Sequence, residues 1–391
     1  MMIKQRTLTA ATLIGALASG ACSSEDEPAS KTIKIGYSSP GDENNWFNSY
    51  NTTLQQATDS ESWELTTLHA GRVNARAPKG ASPEELKAAA VSQQLEDVDT
   101  LVAKGLDAIV FGPIGATDEE KALEAIGIAN AAKIPVFVVN RDPEWPVPAT
   151  SDQYVTRIHS DFDDFGYKMC GEYAREALPD GDIGILMVYG TIGASNTIGY
   201  EEGCKRAVAE DTSGTRAILD QTDLPNLNGK GGIHGNFSPG VVRELLLGAD
   251  PGEAIPTPLL TDIAAEIVAG NINLIVSMSD MSLAMIEALE LPSADPGDGT
   301  LWHPDGPNLE AGVDFMIISG DADPGQARMI EAGKIFGVMS TSPYYGDITV
   351  SVIKDYLAGD PIDTFYPVAD KFINARNLDD DDGFPFCDPT C

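Results

Sequence analysis

Side chains suited to binding a small polar molecule lie just after the carboxyl ends of several predicted strands of this 391-residue chain. They lie in the stretches 41–47, 140–141, 190–196, 236–237 and 279–280 and at Asp321 and Thr341. Flat aromatic rings stack on the apolar C–H face of a ring-shaped ligand. Carboxylates and guanidinium groups form strong, directional hydrogen bonds with polar ligand groups such as hydroxyls. The combination predicts a binding site for a small polyhydroxyl compound.

Each of these residues also has a purely structural alternative. Trp46 can pack on the sheet as part of the core, and Arg141 can form an ion pair at the surface. Asp321 can simply shape a turn. Asp280, the residue after Ser279, is more typical of the N-cap of the next helix than of a ligand contact. The strand-end positions favour the binding interpretation for Trp46, Arg141 and Asp321.

Motifs of catalysis and of metal binding are missing from the sequence. There is no Gly-x-Ser-x-Gly elbow, no His-Glu-x-x-His pair and no phosphate-binding Walker loop. The four histidines are scattered along the chain without the spacing that binds zinc. We therefore expect a binding protein rather than an enzyme, with no cofactor and no metal.

Short β-rich runs alternate with segments of helical periodicity. This alternation occurs in two successive sets of similar size along the chain. The predicted strands are 32–37, 63–68, 107–111, 135–139, 183–188, 215–220, 273–277, 313–319, 335–340 and one near 366–373. The predicted helices are 46–57, 83–104, 119–132, 163–178, 196–209, one after Pro239, 281–289, 324–331 and 344–358. Continuous apolar strands separated by helices predict an α/β fold with parallel sheets covered on both faces. Ligands of such sheets bind beyond the carboxyl ends of the strands, where the candidate residues stand.

The first 22 residues predict an export signal. Lys4 and Arg6 precede an apolar run at 8–17, which is too short to span a membrane, and small residues lead to Cys22. The sequence Ser19-Gly20-Ala21-Cys22 resembles a bacterial lipobox, with Ser19 where such signals usually carry Leu. Lipidation of Cys22 would anchor the chain in the periplasm or at the cell surface through residues 23–31 as a tether. An ordinary signal peptide with an incidental cysteine is the alternative.

The net charge and the number of cysteines restrict which partners the chain can bind and which cellular compartment suits it. The formal net charge of −35 opposes binding to nucleic acid and to anionic lipid surfaces. Apart from Cys22 the cysteines are even in number, as suits an oxidising compartment. Cys387 and Cys391 could close a small loop in the tail. Cys170 and Cys204 could then form a second disulfide, or remain two buried thiols.

The order of short segments along the chain resembles the type I periplasmic solute-binding proteins of the ribose- and galactose-binding branch. The segments that carry the resemblance are 107–113, 131–136 with Asn140 and Arg141, Ser160-Asp161 with Gly166, 193–195 with Gly203, 279–280 with Ala284, 333–334, and Pro343 with Gly346. It covers about 32–373 and implies two Rossmann-like lobes, three hinge crossings and a ligand clamped between the lobes. It also implies delivery to the permease of an ABC transporter. The ligand contacts that it implies by position are Asn45, Trp46, Phe47, Asn140 and Arg141 in the first lobe, Phe237, Ser279 and Asp321 in the second, and Thr341 at a crossing.

The resemblance divides the chain as well. It implies an N-terminal lobe of 32–158 plus 342–364 and a C-terminal lobe of 159–341 plus 365–378, followed by an acidic tail at 379–391. Four positions depart from the family pattern. Asn140 stands where the family has Asp, and Tyr200, where it has a second-lobe Arg, joins the expected site. Ser279 and Thr341 replace an Asn and a Gln.

The ligand implied by the resemblance is a monosaccharide or related polyol, although four departures allow a different sugar or another solute. Trp46 and Asn140 also resemble residues of autoinducer-2 sensors with the same fold. The alternative function is therefore a receptor that presents its closed form to a membrane sensor kinase or a chemoreceptor.

Overall fold

The computed structural model describes most of the chain between residues 31 and 378. The described ranges are 31–41, 45–71, 83–114, 119–144, 146–148, 150–189, 194–218, 233–234, 258–278, 280–290, 309–322 and 324–378. The expected signal with Cys22, the helix after Pro239, and the tail with Cys387 and Cys391 lie outside them, as do Phe237 and Ser279.

Strands and helices alternate over the described residues. The strands are β1 (Lys34–Ser39), β2 (Glu64–His69), β3 (Ala108–Phe111), β4 (Val136–Val139), β5 (Thr156–His159), β6 (Ile183–Tyr189), β7 (Arg216–Ile218), β8 (Ile233–His234), β9 (Leu274–Met278), β10 (Met316–Gly320), β11 (Gly337–Met339), β12 (Phe365–Pro367) and β13 (Phe372–Asn374). The helices are α1 (Asn45–Ser60), α2 (Pro83–Val102), α3 (Glu119–Ala131), α4 (Phe162–Lys168), α5 (Ala174–Ala177), α6 (Ser195–Ala209), α7 (Pro258–Val268), α8 (Asp280–Glu290), α9 (Pro324–Glu331) and α10 (Gly346–Ala358).

Within the described residues the strands form two sheets, which confirms the predicted α/β class. The first sheet has the order β12-β5-β4-β3-β1-β2 and is parallel throughout. The second has the order β13-β11-β10-β9-β6-β7, with β8 also paired to β6 and β13 antiparallel to β11. The two orders correspond strand by strand, so that β4 and β10 occupy equivalent positions. We call the first sheet with its helices lobe one and the second lobe two.

The hydrophobic cores explain why the central strands read as unbroken apolar runs. All four residues of β3 are buried, and the side chains alternate between two core clusters on the two faces of the sheet. Ala108 and Val110 belong to one cluster, and Ile109 and Phe111 to the other. A parallel strand covered on both faces needs apolar residues at every position.

The chain passes between the lobes three times, as the resemblance implies. It passes from β5 to α4, from β11 to α10, and from β12 to β13. We call these crossings one, two and three. The strand predicted near 366–373 is in fact two strands, one in each sheet. Because Phe365–Pro367 pairs with β5, lobe one extends through Pro367 instead of ending at 364. The chain changes sheets within residues 368–371, which include no glycine, so the sequence carries no sign of the change.

Strand β5 is an addition to the predicted elements. It lies between β4 and β12 in the first sheet, yet it carries Arg157 and His159. The side chain of His159 is buried and that of Arg157 is largely buried, and both contact the carboxylate of Asp142. Charged residues that are buried by pairing do not produce an apolar run, and for that reason hydrophobic pattern alone does not find this strand.

Helices α4 and α6 of lobe two pack unusually closely. A Cβ atom added to Gly203 would lie 1.9 Å from the carbonyl oxygen of Asp163, and one added to Gly166 would lie 2.1 Å from that of Tyr200. Glycine is needed where two backbones approach this closely. The predicted helix 163–178 is divided here, because a π-helical turn at Met169–Tyr173 separates α4 from α5.

Within that π-helical turn, Cys170 is joined to Cys204 of α6 by a disulfide. Both residues are fully buried in the core of lobe two. The bond links the π-helical turn to the middle of α6, whose first residues reach the junction of the lobes.

Removing this disulfide should destabilise lobe two. The bond closes a loop with a sequence separation of 34 residues. Loops of this length restrict the unfolded chain enough to contribute about 3–4 kcal/mol. We expect the double variant Cys170→Ala, Cys204→Ala to unfold at a clearly lower denaturant concentration than the wild type. Equal midpoints for the double variant and the oxidised wild type would contradict a stabilising role.

No helix of the described residues combines the length and the apolar character that a membrane span requires.

Candidate ligand-binding site

Two predicted site residues occupy equivalent places in the two sheets. Asn140 follows β4 and Asp321 follows β10, and both have left-handed backbones, with φ of 68° and 57°. Among residues other than glycine, Asn and Asp adopt this conformation most readily. Of the described residues that are not glycine, two others have positive φ, Ser62 and Lys133. The left-handed turn directs the chain sharply away from each strand at the edge of the sheet that faces the other lobe.

Arg141 is a buried cation at this edge of lobe one. Its Nη1 atom donates a hydrogen bond to the carbonyl oxygen of Ile114, 2.8 Å away, which links the loops after β3 and β4. Burial lowers the pKa of Arg141, and the charge of Asp321 in lobe two opposes that shift. An arginine so placed stays protonated, because its ordinary pKa is above 12. Two oppositely charged groups therefore act on each other across the junction of the lobes.

Crossing two is held by one residue from each lobe. The hydroxyl of Thr341 and a carboxylate oxygen of Asp321 share a hydrogen bond. The indole nitrogen of Trp46 donates to the carbonyl oxygen of Thr341 at 2.7 Å. The structure thus brings the predicted residues Trp46, Asp321 and Thr341 together around one peptide segment.

Trp46 packs in the core of lobe one and also lies at the candidate site, so it fits both interpretations of its sequence position. Its ring is half-buried, stacks on Tyr50 at 5.9 Å and meets the edge of Phe47 at 5.4 Å. The ring also packs against Tyr345, which precedes α10. Trp46 is therefore part of the apolar packing of lobe one and also holds crossing two through its N–H group. Asn45, the first residue of α1, is described only in its backbone.

Tyr200 of α6 lies in lobe two with 1% of its surface exposed. Its ring packs against Phe162 and Phe165, and its hydroxyl comes within 3.0 Å of the position that a Cβ of Gly320 would take. Burial raises the pKa of Tyr200 well above its ordinary value, and the charges of Asp321 and Asp370 add to the effect. The phenol is neutral at physiological pH and can donate a hydrogen bond.

A buried ion cluster supports the loop that carries Asn140 and Arg141. One carboxylate oxygen of Asp142 lies 2.9 Å from Nη1 of Arg157 and 3.1 Å from Nε2 of His159. Burial alone would raise the pKa of Asp142, but His159 and Arg157 outweigh burial and lower it below the ordinary value. The backbone N–H of Asp142 donates to the hydroxyl of Ser195, the first residue of α6, at 2.9 Å. The cluster therefore joins lobe one directly to lobe two.

Asp370 is a residue of the site that the sequence analysis did not find. It lies in crossing three and accepts a hydrogen bond from the backbone N–H of Ser342 in crossing two, at 2.8 Å. Ser160 of crossing one bonds to the same carboxyl group. Asp370 therefore touches all three crossings. Its position between two strands, with no motif around it, left no signal in the sequence.

Several buried polar atoms in this region have no hydrogen-bond partner in the structure. Among the described residues at the junction of the lobes they include Asn140 Nδ2, Asn196 Oδ1, Thr197 Oγ1, Tyr200 Oη and Asp370 Oδ2. Buried polar groups are nearly always hydrogen-bonded in folded proteins, so a cluster of exceptions needs an explanation. The set contains both donors and acceptors, and its members come from lobe one, from lobe two and from crossing three. Such a set matches a small molecule with several hydroxyl groups.

Comparison with known proteins agrees with this geometry. Residues 35–232 match the family model described as a periplasmic binding protein domain. The chain is 24% identical over 364 residues to the ribose import binding protein of Salmonella typhimurium, which covers 93% of this chain and 97% of that protein.

Two solved structures show the same fold. One is the periplasmic binding protein of the arabinose ABC transporter from Shewanella sp. ANA-3, with a TM-score of 0.62, 21% identity, and coverage of 88% of this chain and 93% of that chain. The other is the periplasmic ribose ABC transporter protein from Conexibacter woesei, with a TM-score of 0.62, 18% identity, and coverage of 89% and 94%. The chain, with its two mostly parallel sheets and three crossings, therefore belongs to the periplasmic binding protein family.

Proposed function

We propose that this protein is an extracytoplasmic solute-binding lipoprotein that captures a monosaccharide or related polyol and delivers it to an ABC importer. Binding takes place by closure of the two lobes around the ligand. The protein carries out no catalysis, and its anchor is a lipid on Cys22.

The observation that carries this proposal is the set of partnerless buried polar atoms contributed by both lobes. Asn140 lies in lobe one and Tyr200 in lobe two, while Asp370 lies in a crossing. A ligand that bonds to both lobes at once binds the closed arrangement better than the open one. Differential affinity of that kind is what shifts a two-state protein toward closure.

The charges at the site favour a neutral ligand. Arg141 and Asp321 act on each other across the lobes, so the cation is already balanced by a carboxylate. A strongly anionic ligand would have to compete with Asp321, and the chain as a whole carries a net charge of −35. Hydroxyl groups can donate to Asp321 and accept from Arg141 without upsetting this balance.

The names of the related proteins support the transport part of the proposal. The Salmonella relative is a ribose import binding protein, and the Shewanella structure holds L-arabinofuranose. A sugar is accordingly the first class of compound to examine.

A thermal-shift screen tests the proposal. D-ribose, L-arabinose, D-galactose and myo-inositol would be added in turn to the purified chain without its signal. A compound that binds only the folded protein raises the melting temperature. We expect at least one of them to do so and sodium chloride at the same osmolarity not to. If calorimetry detects binding of none, or if the sugar is chemically altered on incubation, the proposed function is wrong.

Trp46 offers a graded test of the site. We expect Trp46→Ala to weaken binding of the sugar found in the screen by about 1–3 kcal/mol, because a stacking face and the bond to Thr341 are both lost. Trp46→Phe keeps an aromatic face and should lose less. Isothermal calorimetry measures both affinities. Unchanged affinity in the alanine variant would remove Trp46 from the site.

A further inference from the structure

Asp370 presents a buried carboxylate oxygen at the point where the three crossings meet. Its Oδ1 atom accepts the backbone N–H of Ser342 at 2.8 Å, while its Oδ2 atom is buried and has no hydrogen-bond partner in the structure. An ionised carboxylate has room for several donors, so one oxygen of Asp370 is used structurally and the other is not.

The neighbours of this oxygen place it at the ligand site. Ser342 directly follows Thr341, which bonds to both Asp321 and Trp46. The charge of Asp370 also acts on the phenol of Tyr200. Two carboxyl groups, Asp321 and Asp370, thus lie on the side of crossings two and three, and one guanidinium, Arg141, lies on the side of lobe one.

We infer that Asp370 is a ligand-binding residue that accepts a hydrogen bond from a hydroxyl of the bound polyol at the hinge end of the site. This inference rests on the proposed function and refines it. In this chain Asn140 replaces the carboxylate expected there from the family pattern, and Asp370 supplies a charged acceptor from a different element.

The inferred contact makes binding proton-linked. Burial raises the pKa of Asp370 to about 7, the charge of Asp321 also raises it, and the hydrogen bonds from Ser342 and Ser160 and the charge of His159 lower it. The other groups that face it are the phenols of Tyr200 and Tyr345. A ligand hydroxyl that donates to Asp370 stabilises the carboxylate and lowers the pKa. Ligand binding near pH 7 should therefore release a fraction of a proton, and affinity should rise between pH 6 and pH 8.

Asp370→Asn is the decisive variant because asparagine keeps the oxygen that accepts from Ser342 and removes the charge. Asp107→Asn is the matched control, since Asp107 also accepts a backbone N–H, that of Lys34 at 3.0 Å, at the opposite end of the first sheet. Both variants would be compared with the wild type by calorimetry, using the sugar that gives the largest thermal shift among D-ribose, L-arabinose, D-galactose and myo-inositol.

We expect Asp370→Asn to weaken binding about tenfold, since a charge-assisted hydrogen bond becomes a neutral one. Asp107→Asn should bind like the wild type. Calorimetry of the wild type in phosphate and in Tris, whose ionisation enthalpies differ, should reveal proton release that Asp370→Asn lacks. The proton count of the wild type needs no variant, so an absence of proton release would overturn the inference even if Asp370→Asn folds poorly.

The outcomes that would overturn the role of Asp370 differ from those that would overturn the proposed function. Tight binding by the wild type without proton exchange, or equal losses in Asp370→Asn and Asp107→Asn, would overturn the role of Asp370 and leave the proposed function intact. If the wild type binds none of the four compounds, the proposed function itself fails, and the inferred contact fails with it.

Discussion

Arg141→Met should weaken sugar binding by roughly a hundredfold, about 3 kcal/mol, since a hydrogen bond to a charged group contributes about 1.5–3 kcal/mol and the ligand hydroxyls would lose their guanidinium donor. The guanidinium is buried, bonds to the carbonyl oxygen of Ile114 and faces Asp321 across the lobes. Methionine fills similar space without any donor. Calorimetry with the sugar identified by thermal shift measures the loss.

Arg141→Lys should not restore binding, because an ammonium group cannot present the planar fork of donors that a guanidinium offers. Arg175→Met is the control. Arg175 also donates to a backbone carbonyl oxygen, that of Leu178 at 3.2 Å, on the outside of lobe two, and its loss should leave affinity unchanged. Wild-type affinity in Arg141→Lys would contradict recognition of ligand hydroxyls by two parallel hydrogen bonds.

Asp142→Ala should lower the free energy of unfolding by about 3–5 kcal/mol, the usual cost of removing one partner of a buried ion pair. The substitution leaves Arg157 buried without its carboxylate and removes the hydrogen bond to His159. Urea denaturation at pH 7 measures the difference. Asp163→Ala is the control. It breaks an exposed pair with Arg206 and should change stability little.

The effect of Asp142 should depend on pH in a defined direction. In the folded protein, His159 and Arg157 lower the pKa of Asp142 below its ordinary value. As the pH falls, Asp142 is therefore protonated in the unfolded chain before it is protonated in the folded protein. The stabilisation is complete above the unfolded pKa of about 4 and is lost as the pH falls below it. The gap between the wild type and Asp142→Ala should therefore be larger at pH 5 than at pH 3. A gap that widens in acid would contradict this assignment.

Most of the fold could be predicted from the sequence because its central strands are buried on both faces. The runs that form β3 and β4 are entirely apolar, and helix α9 begins and ends where the periodicity predicts. Strand β5 could not be found in this way, since Arg157 and His159 are buried by a carboxylate that is distant in sequence. Likewise, the division of the last strand between two sheets depends on pairing partners that the local pattern does not specify.

The sequence by itself determined that Asn140, Arg141, Asp321 and Thr341 stand at the ends of parallel strands, because alternation of strand and helix sets the edge of the sheet where those ends meet. Only the tertiary structure decided that residues of crossings two and three, Ser342 and Asp370, would bond to each other there. Hydrogen bonds between segments far apart in sequence depend on how the two sheets are placed. Local residue patterns carry no information about that placement.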